Sequence, residues 1–158
     1  MHPSVIPELD LRSSREGDPV NAELYLDVAN RLFGAIERGE YETVDAMWAD
    51  DVTVWHTGDS QDDDRVRALK VIRWFLDNTT QRNYEILDRQ YFDGGFVQQH
   101  ILRASFPSRR SARPGEPDGT SIEMRVCIVI RVDTEGRITR VDEYFDPADM
   151  APLLRSTT

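Results

Sequence analysis

The sequence predicts an α+β fold: a cone-shaped, curved antiparallel sheet wrapped around three N-terminal helices, closed by a short C-terminal helix. Three observations carry that prediction. Apolar residues recur at helical spacing through the first half of the chain. From Asn83 onward the apolar period changes to two, the signature of strands with one face inward. The order of helices first and strands after is that of an α+β domain rather than an alternating α/β one. Helices cannot fill a strongly curved sheet completely, so an apolar pocket is expected between the two layers.

Each element has a local reason. Residues 1–17 carry Pro3, Pro7, Ser13 and Ser14 and read as an irregular arm, with residues 18–158 as one domain. Asp18-Pro19 is a helix start, aspartate as N-cap and proline at the first helical position. Leu24, Val28, Leu32 and Ile36 then form one apolar stripe of a helix over about 20–38. Gly39 suits the left-handed position that ends it. Tyr41, Val44, Met47 and Trp48 give a short second helix, and Val52 to His56 a strand. Asp62-Asp63-Asp64 precedes a third helix over Arg65 to Asp77, where carboxylates complement the helix N-terminus. Tyr84 to Phe92 and Phe96 to Phe106 are strands joined at Asp93-Gly94-Gly95, a hairpin signal. Ile122 to Val132 alternates strictly, with its even-numbered residues apolar, and Ile138 to Phe145 is the last strand. Asp146-Pro147 starts a final short helix to about Leu154.

Composition narrows the function classes. The chain has 158 residues, a net charge of −10, 39% hydrophobic and 30% charged residues. That size fits one domain, and the acidity disfavours nucleic acid, which needs a basic face. Cys127 is the single cysteine, so neither an internal disulfide nor a thiolate zinc cage can form. The first twenty residues lack an apolar signal core, and no apolar run approaches the length of a membrane span. A cytoplasmic protein without membrane contact is the expectation. The Asp59 to Asp64 run lacks the ligand spacing, central glycine and terminal glutamate of a calcium loop, and no metal or other cofactor is expected.

The stretch Val28 to Asp59, VANRLFGAIERGEYETVDAMWADDVTVWHTGD, resembles the nuclear transport factor 2-like superfamily, and its SnoaL-like domain in particular. Relatives there include polyketide cyclases, ketosteroid isomerase, scytalone dehydratase and limonene epoxide hydrolase. The resemblance spans roughly Val20 to Leu154 and implies the cone fold with a closed apolar cavity. Aligned through Gly39 and Asp50-Asp51, His56 falls where the isomerases place their general-base aspartate. Their oxyanion tyrosine and protonated aspartate become Leu32 and Ile128, so that electrophilic half does not carry over. His100, in His100-Ile101-Leu102-Arg103, resembles the acid–base histidine of scytalone dehydratase, whose second histidine falls near Asn83 or Tyr84. Glu143, in the last strand, takes the place of a water-activating carboxylate in the epoxide hydrolases. Their arginine and second aspartate become His100 and Leu102. SnoaL-like cyclases also place an acid–base aspartate near the end of the sheet.

His100, His56 and Glu143 are therefore the candidate catalytic residues. An imidazole has an ordinary pKa near working pH, and burial would keep His100 neutral and able to act as a base. Trp55, Trp74, Phe33, Phe75 and Phe145 are the candidate walls for a ligand, with Phe92 near them. The function these imply is cofactor-independent acid–base chemistry (isomerase, dehydratase or cyclase type) on a small, mostly apolar molecule such as a polyketide- or steroid-like compound. The alternatives are a non-catalytic binding or scaffold domain, and the β-subunit of an aromatic-ring dioxygenase. Gln99, Arg125, Cys127 and Val129 are expected on the convex face of the sheet, through which the superfamily resemblance implies a homodimer. The loop from Pro107 to Thr120 carries Arg109, Arg110 and Arg113. Either these pair with acidic surface or the loop closes over the pocket mouth.

Overall fold

The computed structural model describes residues 19–107 and 120–155. The arm, the Asp18 cap and the arginines of the 107–120 connection lie outside the described residues. Helix α1 (Pro19–Arg38) is followed by α2 (Tyr41–Met47), strand β1 (Trp48–His56) and helix α3 (Arg65–Asn78). Four strands follow: β2 (Thr80–Phe92), β3 (Gly95–Phe106), β4 (Thr120–Val132) and β5 (Ile138–Tyr144). A single 3-10 turn (Pro147–Met150) leads into the short helix α4 (Ala151–Arg155). Among the described residues no helix is long and apolar enough to cross a membrane.

α1 forms because Val28, Leu32, Ile36, Tyr25, Ala29 and Phe33 all fall on its buried side. Burying each large apolar side chain is worth roughly 1.5–3 kcal/mol. That outweighs the few tenths of a kcal/mol that β-branched Val28 and Ile36 cost in helix propensity. Gly39 ends the helix at φ 72°, a conformation that disfavours a side chain. Of the three aspartates before α3, Asp64 is the N-cap, accepting from the Arg67 backbone N–H at 2.9 Å. Asp63 pairs with Arg67 Nε at 2.8 Å, and Asp62 reaches across to Arg140.

The five strands form one curved, open sheet in the order β1-β5-β4-β3-β2. β2, β3, β4 and β5 run antiparallel, and the β4 alternation is uninterrupted: Ile122, Met124, Val126, Ile128, Ile130 and Val132 are buried. The convex face carries Gln99 and Arg125, both exposed, with Cys127 and Val129 half-buried. β1 departs from the expected antiparallel sheet. It pairs with β5 in parallel, His56 beside Glu143 and Val54 beside Val141. The cause is topological: the helix α3 and three strands intervene, so the last strand returns beside the first in the same direction. A one-residue irregularity in β5 between Ile138 and Arg140 restores the register, so that Ile138 and Val141 both face inward. α1 packs over the β2 side of the inner face and α3 over the β1 side, leaving a space between them.

Candidate functional site

That space is a cavity of about 400 Å³ walled by Phe33, Trp74, Phe75, Phe145, Leu102 and Met124, among others. His56, His100 and Glu143 all line it. Trp55 does not. Strand neighbours face opposite sides, so a β1 that turns His56 inward turns Trp55 outward. Trp55 packs at a tilt against Tyr144, 5.2 Å between ring centroids, and donates its indole N–H to the Asp59 carbonyl at 3.1 Å. It belongs to a shallow outer hollow with Arg140 and Asp142. Phe92 is also absent from the cavity wall and lies under the Arg131 guanidinium, 5.7 Å away.

His56 closes β1 and is held from two sides. Asp59 Oδ2 accepts from the His56 backbone N–H at 3.0 Å and lies 3.3 Å from the ring Nδ1. A carboxylate accepts only, so in the neutral ring this contact places the proton on Nδ1 and leaves the lone pair on Nε2. Nε2 is 4.0 Å from Glu143 Oε2. Thr57 ties the two strand ends together: its N–H donates to the Glu143 carbonyl at 3.0 Å, and its hydroxyl accepts from Phe145 N at 3.1 Å. Burial pushes the Glu143 carboxyl above its ordinary pKa, with His56 pulling the other way. Glu143 therefore holds a proton to higher pH than a surface glutamate. Its neighbour Asp142 faces the other way and pairs with Arg140 at 2.8 Å.

His100 sits mid-strand on β3, only 2% exposed. Its Nδ1 lies 2.9 Å from Gln98 Nε2, and Gln98 Oε1 accepts from Arg89 Nε at 2.7 Å. Tyr84 and Phe33 pack edge-on against the ring, at 4.9 and 5.5 Å between centroids. Burial, with the Arg89 charge adding to it, pulls the His100 pKa down to about 4. The lowered value keeps the imidazole neutral at neutral pH, the state expected for a buried histidine. Burial also pushes the Tyr84 phenol well up, reinforced by Glu143 and Glu37, so Tyr84 remains a donor.

Asp59, Tyr84 and Arg89 are not among the residues the sequence singles out for the site. Two signals were present. His56 and Asp59 stand three apart around a Thr-Gly turn, and Gln98 and His100 stand two apart on one strand face. The reading also assigned no metal ligand, yet His56, Asp59 and Asp63 bring ligating atoms within 4.8 Å of one another. These three could hold a divalent ion. Asp63 is already paired with Arg67, and Asp59 is engaged with His56.

The sequence model of the SnoaL-like domain matches residues 29–141. The chain belongs to the SnoaL-like domain family. Solved structures of low identity share the fold of this SnoaL-like domain. One is an LEH-like epoxide hydrolase of M. tuberculosis, with 21% identity, a TM-score of 0.65, and 85% of this chain and 92% of that chain covered. A second is IdmH of Streptomyces antibioticus, a proposed polyketide cyclase: 20% identity, TM-score 0.63, 82% and 97% covered. A third is a proposed SnoaL-like polyketide cyclase of Shewanella denitrificans: 14% identity, TM-score 0.66, 88% and 99% covered. Among curated proteins none matches. At these identities the likeness concerns the fold, and chemistry has to be argued from the cavity itself.

Proposed function

We propose that this SnoaL-like domain is a cofactor-independent acid–base enzyme of the isomerase, dehydratase or cyclase type. Its substrate is a small, mostly apolar molecule of polyketide- or steroid-like character. The observation that carries this reading is the Asp59–His56–Glu143 arrangement in the wall of a largely apolar cavity. Asp59 orients the imidazole, Nε2 takes a proton from carbon, and the half-buried Glu143 carboxyl returns one to oxygen or to a neighbouring carbon. The 4.0 Å between the two groups lets one substrate carbon, or one water, be reached by both. Trp74, Phe75 and Phe145 exclude water and select apolar skeletons. Names in the structural family, polyketide cyclases among them, support the same reaction class.

The test needs no knowledge of the natural substrate. An enolisable ketone such as 2-tetralone, incubated with the protein in heavy water, should take up deuterium next to its carbonyl faster than in buffer. His56→Ala and Glu143→Gln should abolish the acceleration. Binding without exchange would instead identify a non-catalytic ligand carrier. The same reading includes a cytoplasmic homodimer through the convex face. Half-buried Cys127 and Val129 beside exposed Arg125 and Gln99 make a mixed surface suited to self-association. Light scattering giving a monomer at tens of micromolar would contradict the dimer.

A further inference from the structure

The cavity has a second polar pole, away from the His56–Glu143 pair. Arg89 donates from Nε to Gln98 Oε1 at 2.7 Å and from Nη1 to Asn30 Oδ1 at 3.0 Å. A guanidinium can only donate, which fixes the Gln98 atom beside it as the carbonyl oxygen. The Gln98 atom beside His100, at 2.9 Å, is then the amide nitrogen, which also only donates. His100 Nδ1 therefore accepts, and a neutral imidazole that accepts at Nδ1 carries its proton on Nε2. Gln98 is fully buried and is not part of the cavity wall, whereas His100 is. The Nδ1 edge thus turns to Gln98, and the Nε2–H edge is the one left for the cavity.

We propose that His100 Nε2–H binds the carbonyl or enolate oxygen of the substrate, and that Gln98 and Arg89 are the positioning residues that hold it as a donor. This rests on the reading of His56 and Glu143 as the proton-transfer pair, and it names the substrate class: a ketone, aldehyde or ester with a C–H beside the carbonyl. His56 Nε2 takes that proton. The C–H electron pair becomes the enolate double bond, and the carbonyl π pair moves onto the oxygen facing His100. Glu143 then delivers its proton to carbon or oxygen, and the His56 imidazolium reprotonates it. Atoms and charges balance with no further reactant.

Three features suit the assignment. His100 and Glu143 are on strands separated by β4, about 10 Å apart at the spacing of neighbouring strands. Their side chains converge on the concave side, so a small carbonyl compound can touch both. Tyr84 packs edge-on beside His100 and lines the same cavity, offering a second O–H to one oxygen. Phe33 covers the imidazole and dries it, which strengthens a fixed donor toward developing negative charge.

Nitrogen NMR of the histidine-labelled protein, with infrared spectroscopy of bound 2-tetralone, tests this without turnover. The wild-type protein should show His100 protonated on Nε2 and not on Nδ1, and the bound carbonyl stretch should move to lower frequency. In Gln98→Glu the new carboxylate accepts from Nδ1–H and moves the lone pair to Nε2. That variant should lose the carbonyl shift, and its preference for 2-tetralone over tetralin should fall about tenfold, the worth of one buried hydrogen bond. His100 protonated on Nδ1 in the wild type would overturn the proposal, as would a carbonyl stretch unchanged between wild type and variant. The wild-type spectrum decides even if the variant does not fold. His56→Ala keeps the carbonyl shift while losing exchange, which separates failure at this pole from failure of the proton-transfer pair.

Discussion

His56 and Glu143, eighty-seven positions apart by residue number, stand beside one another across the parallel seam between β1 and β5, Nε2 to Oε2 4.0 Å. The seam sets them side by side on one face, as the register of a parallel pair requires. Removing either partner should therefore cost more than removing any single wall residue. Glu143→Gln, which keeps the shape and loses the proton, should lower ketone exchange by about 10²–10⁴-fold. Retention of more than a tenth of the rate would remove Glu143 from the chemistry.

Asp59 acts through His56. Asp59→Asn leaves a side chain that can present either an acceptor or a donor to Nδ1, so the imidazole loses its fixed tautomer. The rate should fall on the order of tenfold or more with KM little changed. An equal rise in KM alone would mean that Asp59 shapes the pocket and does not orient the base.

Burial of His100 has a consequence for acid stability. Its folded pKa of about 4 lies below the ordinary 6.5, so the unfolded chain binds the extra proton first as pH falls. The stability is fully present above pH 6.5 and is lost as pH drops toward 4. The full loss is on the order of 3 kcal/mol. Glu143 has the opposite sign: its raised folded pKa favours the protonated form, so its contribution is lost as pH rises. Glu143→Gln should therefore melt higher than wild type at neutral pH, and His100→Leu should flatten the acid limb of a melting-temperature profile. Parallel pH profiles for wild type and His100→Leu would contradict the buried, neutral imidazole.

Gly95 is a steric necessity at the β2–β3 hairpin. A Cβ there would fall 2.0 Å from the Ile130 carbonyl oxygen, which is backbone and cannot turn aside. Gly95→Ala has to open the β3–β4 ladder and should cost about 2–4 kcal/mol, read from chemical denaturation. A loss under half a kcal/mol would show that the ladder relaxes freely.

Chelator treatment tests the remaining use of His56, Asp59 and Asp63. In the acid–base reading, dialysis against EDTA leaves ketone exchange unchanged. Loss on chelation, restored by a divalent ion, would move His56 and Asp59 from proton transfer to metal ligation.

The parts of the fold readable in the sequence were those set by local period. The α1 stripe and the β4 alternation each decide inside from outside within a dozen residues, and both match the observed burial. What the sequence did not reveal depends on partners far away in the chain. The direction of β1 is fixed by where β5 returns, and no local pattern encodes that. Trp55 shows a different failure, since His56 and Trp55 are adjacent on a strand and only one could face the cavity. Assigning both to the wall contradicted the period-two rule. The tautomer proposed for His100 depends on Arg89 on another strand, through Gln98, and no local pattern encodes that.

The position of β5 also orders events in time. β1 enters the sheet through β5, with β4 on the other flank. A ribosome releases the chain from its N-terminus, so β1 is out long before the strand that will seat it. Until β5 has emerged, the His56 imidazole has no Glu143 to face, and β1 has no neighbour in the sheet. A chain cut before β5 keeps the His56 strand but lacks the carboxylate that the cavity sets against it.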